Sequence, residues 1–331
     1  MIAAIKKINA LGNAGMPFIF IFDFNLKKPV VLTPEEAAEK NIFFDINGKK
    51  NYFYDSEKNN LKKNKKKSEQ KIIFNKNPET FEVYEKKFDK IISSINYGNS
   101  FLANLTCATP IETNLSLKDI FTQSRARYKL IYKNKYVCFS PETFVKIANG
   151  TISTYPMKGT IDATIPNAEN IILNDIKEKA EHNTIVDLMR NDLGKICDKV
   201  WVEKFRFTER VVTQDGALLQ VISEICGTLP KNYCQQIGTL LYSLLPAGSI
   251  CGAPKLETLR LIAETEDYDR GYYTGIFGIF DAKNLDSGVL IRFIERTQSG
   301  LFFKSGGGIT AQSDARTEYE EMIQKIYLPV F

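Results

Sequence analysis

Along the chain, short runs of β-branched and aromatic residues alternate with longer stretches whose apolar positions repeat every three or four residues. These are the two periods of a strand and of a helix face. The run MPFIFIF from Met16 to Phe22 is apolar almost throughout and stops at Asp23, which predicts a buried strand. KIIF from Lys71, TFVKIA from Thr143 and VLIRFIER from Val289 predict further strands, with Gly and Asn at the joints. Near-helical spacing of Ile172, Ile176, Ile185, Leu188 and Met189 predicts one helix over 168–193. Others are expected over 254–264, entered through the loop LPAGSICGAPK, and over 315–326 after a glycine-rich turn. The pattern is that of a mixed α and β protein.

Size and charge sharpen this only a little. With 331 residues, 44% of them hydrophobic, the chain can bury a large core in one domain or two. The net charge of +5 is concentrated in EKNNLKKNKKKSEQK at 57–71. There Lys62, Lys63, Lys65, Lys66 and Lys67 stand without interleaved aromatics, a solvated loop rather than a nucleic-acid surface. No repeat is visible, so this stretch is the expected boundary between a short N-terminal region (1–75), packing on the main body, and a catalytic domain (76–331). Six cysteines without a CxxC pair read as reduced thiols in the cytoplasm. The first apolar run offers neither a cleavage site nor the length of a span, so no membrane segment is expected.

Candidate chemistry lies in three places. Glu178 and Glu181, and again Glu318 and Glu321, stand three apart on predicted helices, so each pair projects from one face. A solvated helix face has the same spacing; two converging pairs would make an oxygen-rich site for Mg²⁺. GGGIT from Gly306 is either a tight turn or a cradle of backbone amides for a carboxylate. In YPMKGT, Lys158 stands among apolar and small residues, where a desolvated amine can lose its proton and become a nucleophile; a snorkelling surface lysine reads the same way. A single histidine, His182, excludes His-pair and multi-His zinc chemistry. There is no GxSxG, Walker or GxGxxG motif.

Taken in order, SFLANLT from Ser100, SPE from Ser140, YPMKGT, KEKAEHNTIVDLMRNDLG from Lys177, PAGSICGAPK from Pro246, RGYYTGIFG from Arg270 and GGGITAQSDARTEYEEMIQK from Gly306 resemble the chorismate-binding enzymes. That family includes anthranilate, aminodeoxychorismate, isochorismate and salicylate synthases, and the resemblance covers roughly residues 80 to 330. It implies an α+β fold of two packed, mainly antiparallel sheets flanked by helices. It also implies Mg²⁺ at Glu178, Glu181, Glu318 and Glu321, meeting the substrate's ring carboxylate. Tyr273, Arg292, Lys325, Gly306, Gly307 and Gly308 fall on positions that bind its carboxylates, with Ser249 and Thr160 as further substrate contacts. Glu142 falls on the general acid that protonates the departing C4 hydroxyl.

Lys158, where anthranilate and salicylate synthases generally carry alanine, resembles aminodeoxychorismate synthase component I. In that subfamily the lysine attacks C2, and ammonia from a glutamine amidotransferase subunit enters at C4. Anthranilate synthase component I and a non-catalytic chorismate-binding subunit remain the alternatives. Isochorismate synthase is disfavoured, because Leu102 stands where that branch carries its lysine base. Leu102, Gln220 and Cys251 depart from the family pattern, which often has glutamine, histidine and serine or threonine there. The region before the motifs is about a hundred residues shorter than is usual in the family, so tryptophan feedback is not expected.

Overall fold

The computed structural model of the protein describes residues 1–52, 71–213 and 216–329; the lysine cluster at Lys62 to Lys67 lies outside them. Two nine-stranded antiparallel sheets form among these residues. The first runs in the order Met157–Asp162, Gly216–Thr228, Thr151–Thr154, Thr143–Ala148, Leu285–Val289, Ile276–Phe280, Phe18–Phe22 and Val30–Leu32, with Lys199–Thr213 also paired to Gly216–Thr228. The second runs Gly252–Ala253, Leu102–Thr113, Gly300–Ile309, Phe293–Thr297, Tyr136–Ser140, Tyr128–Tyr132, Ile42–Ile46 and Lys49–Lys50, with Phe74–Lys76 on Leu102–Thr113.

Strand alternation explains the layers. Phe18, Phe20 and Phe22 enter one apolar core together with Val186, Met189 and Leu193 of the Ile176–Gly194 helix. Ile19 and Ile21, on the opposite face, enter a second core with Leu130, Tyr136, Cys138 and Phe293 of the other sheet. Val137 and Phe139, facing away from that second core, join a third with Phe88 and Ile91 of the Phe81–Asn96 helix. Successive side chains point to opposite faces, so this arrangement gives helix, sheet, sheet and helix layers. It also explains why all five residues of Phe18–Phe22 are buried, each such side chain contributing roughly 2 kcal/mol. Residues 1–52 are built into both sheets, through Phe18–Phe22 paired with Ile276–Phe280 and Ile42–Ile46 paired with Tyr128–Tyr132.

Four expectations change. The helix expected over 168–193 is two, Ala168–Asn174 and Ile176–Gly194, broken at Asp175, whose carboxylate accepts from the Glu178 N–H at 2.8 Å and caps the second. Of KIIF, only Phe74 enters a strand, Phe74–Lys76. The glycine triplet is not a turn: Gly306, Gly307 and Gly308 extend the Gly300–Ile309 strand opposite Thr106, Leu105 and Asn104. VLIRFIER is not one strand: Leu285–Val289 belongs to the first sheet and Phe293–Thr297 to the second.

That last break matters, because the chain changes sheets over residues 290–292. It does so again over residues 141–142, between Tyr136–Ser140 and Thr143–Ala148. The two crossings are tied, the Val289 N–H donating to the Glu142 carbonyl at 3.1 Å. The later one is pinned by Thr274 N–H to Leu290 O and Leu290 N–H to Gly275 O, each 2.8 Å, and by Phe139 N–H to Arg292 O at 3.1 Å. No helix among the described residues is long and apolar enough to cross a membrane, and all six cysteines are free.

Candidate active site

Glu142 and Arg292 both sit where the chain passes between sheets. Arg292 adopts a left-handed backbone, φ 52°, a conformation a bulky residue holds only when its surroundings enforce it. Its Nε is buried without a hydrogen-bond partner, and its guanidinium lies 5.7 Å from the Tyr327 ring centre. A buried, unmet guanidinium donor suits an incoming carboxylate. Burial pushes the Glu142 carboxyl above its ordinary pKa, held back by a Ser249 hydrogen bond and by Arg292 and Lys325. Ser249 Oγ donates to Glu142 Oε1 at 2.8 Å. Ser249, expected to touch substrate, thus supports the candidate acid.

The glycine triplet lies beside these groups. Pairing of Gly300–Ile309 with Phe293–Thr297 ends at Lys304, so beyond it only the edge toward Leu102–Thr113 is used by the ladder. A Cβ on Gly306 would come 2.2 Å from the Leu105 carbonyl oxygen, and one on Gly307 3.1 Å from Glu318 Oε2; the side chains are absent where backbone and carboxylate approach. Lys325 Nζ closes this corner, donating to Gly306 O at 2.8 Å and pairing with Glu321 Oε1 at 2.7 Å. Tyr273 is buried, its ring centre 5.9 Å from that of Phe293, and Arg270 and Arg292 both act on its hydroxyl, whose pKa burial raises.

Lys158 lies on the Met157–Asp162 strand, facing the Ile176–Gly194 helix. Its Nζ pairs with Glu181 Oε2 at 2.7 Å. Glu178 approaches the next residue: a Cβ on Gly159, at φ 95°, would stand 3.0 Å from Glu178 Oε2. Burial disfavours the Lys158 charge, but Glu181, then Glu321 and Glu318, outweigh it and raise the pKa. A lysine poised to lose its proton is therefore not what this state holds, since the carboxylates keep it an ammonium. The same interactions put Lys158 within electrostatic reach of members of both pairs, Glu181 on one side and Glu318 and Glu321 on the other. Glu318 Oε1 accepts from Ser313 Oγ at 2.7 Å, and burial raises its pKa. Burial acts the same way on Glu321, but Lys325, Lys158 and Arg292 bring it below its ordinary value.

These four carboxylates are hard oxygen donors on two helices, with Lys158 paired to Glu181 and Lys325 to Glu321. Among the described residues no three acidic, His or Cys side chains are yet arranged as ligands of one ion. The excess negative charge and all-oxygen character fit a hard divalent cation once an ammonium moves aside.

Other expected positions are peripheral. Thr160 is exposed, opposite Gln220 across the ladder and past a bulge that follows Met157. Cys251 is fully buried with Phe24 and Ile262 in a small apolar cluster, and burial pushes its thiol up to about 11. Leu102 Cδ1 would lie 3.0 Å from a Cβ on Gly308, so it walls the triplet with hydrocarbon. Sequence reasoning did not assign Arg270, quoted only within a motif. Its buried guanidinium holds Glu266 at 2.6 Å, Asn104 O at 2.7 Å and Ile250 O at 3.1 Å, bracing the segments beside the triplet and Ser249. Nothing in spacing signals such a brace, because two of its partners are backbone carbonyls, which any residue type supplies.

A family sequence profile described as chorismate binding enzyme matches residues 19–330. An uncharacterized PabA-like protein of Pasteurella multocida is 47% identical over 328 residues, 99% of this chain and 98% of that protein. Aminodeoxychorismate synthase component 1 of Bacillus subtilis is 29% identical over 265 residues, 76% of this chain and 55% of that protein. The crystal structure of anthranilate synthase component I from Streptococcus pneumoniae superposes with a TM-score of 0.65 at 24% identity, covering 92% of this chain and 70% of that one.

Proposed function

Because the chain belongs to the chorismate binding enzyme family, we propose that it is the synthase component of an aminodeoxychorismate synthase, converting chorismate and ammonia to 4-amino-4-deoxychorismate. The observation that carries this reading is the place of Lys158: an ammonium at the convergence of Glu181, Glu318 and Glu321. It shares an electrostatic neighbourhood with Lys325, which also acts on Glu142.

Arg292, Tyr273, Lys325 and the free edge at Gly306 to Gly308 hold the substrate's carboxylates. Glu142 gives its proton to the C4 hydroxyl, which leaves as water, while the Lys158 nitrogen, released from Glu181 and having passed one proton to water so that it carries a lone pair, bonds to C2. Ammonia then bonds to C4 as the C2–N bond breaks, returning the electron pair to Lys158. Glu178, Glu181, Glu318 and Glu321 would hold Mg²⁺, which supplies charge neutralisation for the ring carboxylate. A glutamine amidotransferase subunit is the proposed ammonia source.

Incubating the protein with chorismate, Mg²⁺ and ammonium, with and without an aminodeoxychorismate lyase, tests the reading. The expected result is 4-aminobenzoate only when the lyase is present, and rates lowered about 100-fold or more in Glu142→Gln and Lys158→Ala. Anthranilate as product, or an unchanged rate in Lys158→Ala, overturns it.

A further inference from the structure

The geometry points to Lys158 as an internal counter-ion that occupies the carboxylate site in the metal-free protein and must leave Glu181 when a divalent cation binds. This rests on the reading of Glu178, Glu181, Glu318 and Glu321 as the metal-holding groups. Glutamates gathered from two helices repel each other unless a cation lies among them. In this state the Lys158 ammonium is one such cation, 2.7 Å from Glu181 Oε2 and acted on by Glu318 and Glu321.

Lys325 is paired with Glu321 of the same set, but the Gly306 carbonyl holds it as well. Among the described residues Lys158 has Glu181 alone as its ion-pair partner at contact distance, and its side chain keeps 34% of its surface exposed against 10% for Glu181. The lysine side chain is the more exposed of the two and sits on a long flexible stem, so the lysine is the group that yields. A hard cation needs carboxylate oxygens at about 2.1 Å, and two cations on one carboxylate repel each other. Metal and ammonium therefore exclude each other at Glu181. Metal binding turns Lys158 from a counter-ion into a side chain free to reach bound substrate, so the cation has to bind before the lysine can act.

Binding of Mg²⁺ to the chorismate-free protein, measured by titration calorimetry at fixed ionic strength, tests this without reference to turnover. Lys158→Met should bind Mg²⁺ about tenfold more tightly or better than the unsubstituted protein. Lys158→Arg, which keeps the charge, should stay weak, and Lys40→Met, which removes an exposed charge elsewhere, should change nothing. Glu181→Gln should lose affinity whether or not Lys158 is present. Equal affinity in the Lys158→Met and unsubstituted proteins, both showing cooperative thermal melts, overturns the competition and leaves the metal reading standing. Absence of Mg²⁺ binding in every folded variant overturns both.

Discussion

Glu142 shows how a single side chain can be set for acid chemistry by its surroundings. Burial raises its pKa while Ser249, Arg292 and Lys325 pull it down, leaving it above the ordinary carboxylate value. A general acid must carry its proton when the substrate arrives, so activity should fall as pH rises through the Glu142 pKa. The Ser249 hydrogen bond favours the charged form, and its loss in Ser249→Ala leaves burial less opposed, so the pKa rises further. One hydrogen bond of about 1 kcal/mol corresponds to about 0.7 pH unit. The alkaline limb of the kcat/KM profile is expected to move up by about that amount in Ser249→Ala. A limb that stays in place would mean that Ser249 does not act through Glu142.

At the scale of elements, Arg270 ties the distant Leu102–Thr113 strand, through Asn104 O, to the Gly248–Cys251 turn of helix, through Ile250 O, and to the end of the Lys255–Thr265 helix, through Glu266. Arg270 and Glu266 side chains are each 2% exposed, so removing one strands the other. Arg270→Met is expected to cost about 3–5 kcal/mol, read from urea denaturation, and Arg270→Met with Glu266→Leu to recover much of it. If the double variant is no more stable than the single, the pair is not an isolated charge couple. Elements of this kind mark the limit of what the chain's pattern reveals. Periodicity located the buried Phe18–Phe22 strand and the glutamate-bearing helices, because burial and helical facing leave a repeat. It missed the Asp175 break, which depends on one capping carboxylate, and it fused Val289 to Arg296 into one strand, because apolar residues continue while the chain changes sheets. That crossing places Arg292, so the corner around Arg292 and Lys325 was legible only through family resemblance. The nearness of Lys158 to both Glu181 and the Glu318 and Glu321 pair, on segments far apart along the chain, could not be read from spacing at all.

The whole molecule carries one titration that can be followed without interference from another of its kind. His182, the single histidine, is fully buried between the Ile176–Gly194 helix and the first sheet, its Nε2 2.7 Å from Ser223 Oγ. Ser223 Oγ already accepts the Arg206 N–H at 2.9 Å, so its own hydrogen is free for an unprotonated ring nitrogen. Burial, with a smaller contribution from Arg206, lowers the His182 pKa from 6.5 to about 4, against an opposing effect of the Lys158 backbone. The folded pKa lies below the unfolded one, so the unfolded chain takes up the proton first. The stability this group contributes is complete above pH 6.5 and is lost as pH falls toward 4. At 1.36 kcal/mol per unit the loss reaches up to about 3 kcal/mol, a large share of the 5–15 kcal/mol typical of a domain. Carboxylates add their own decline only in the lower part of that window. His182→Gln keeps a hydrogen-bonding group toward Ser223 and cannot titrate, so its urea midpoint is expected to hold nearly level from pH 6.5 to about 5, where the unsubstituted protein weakens. Parallel declines in the two proteins would assign the loss to carboxylates whose folded pKa is lowered, Glu321 among them, and not to His182.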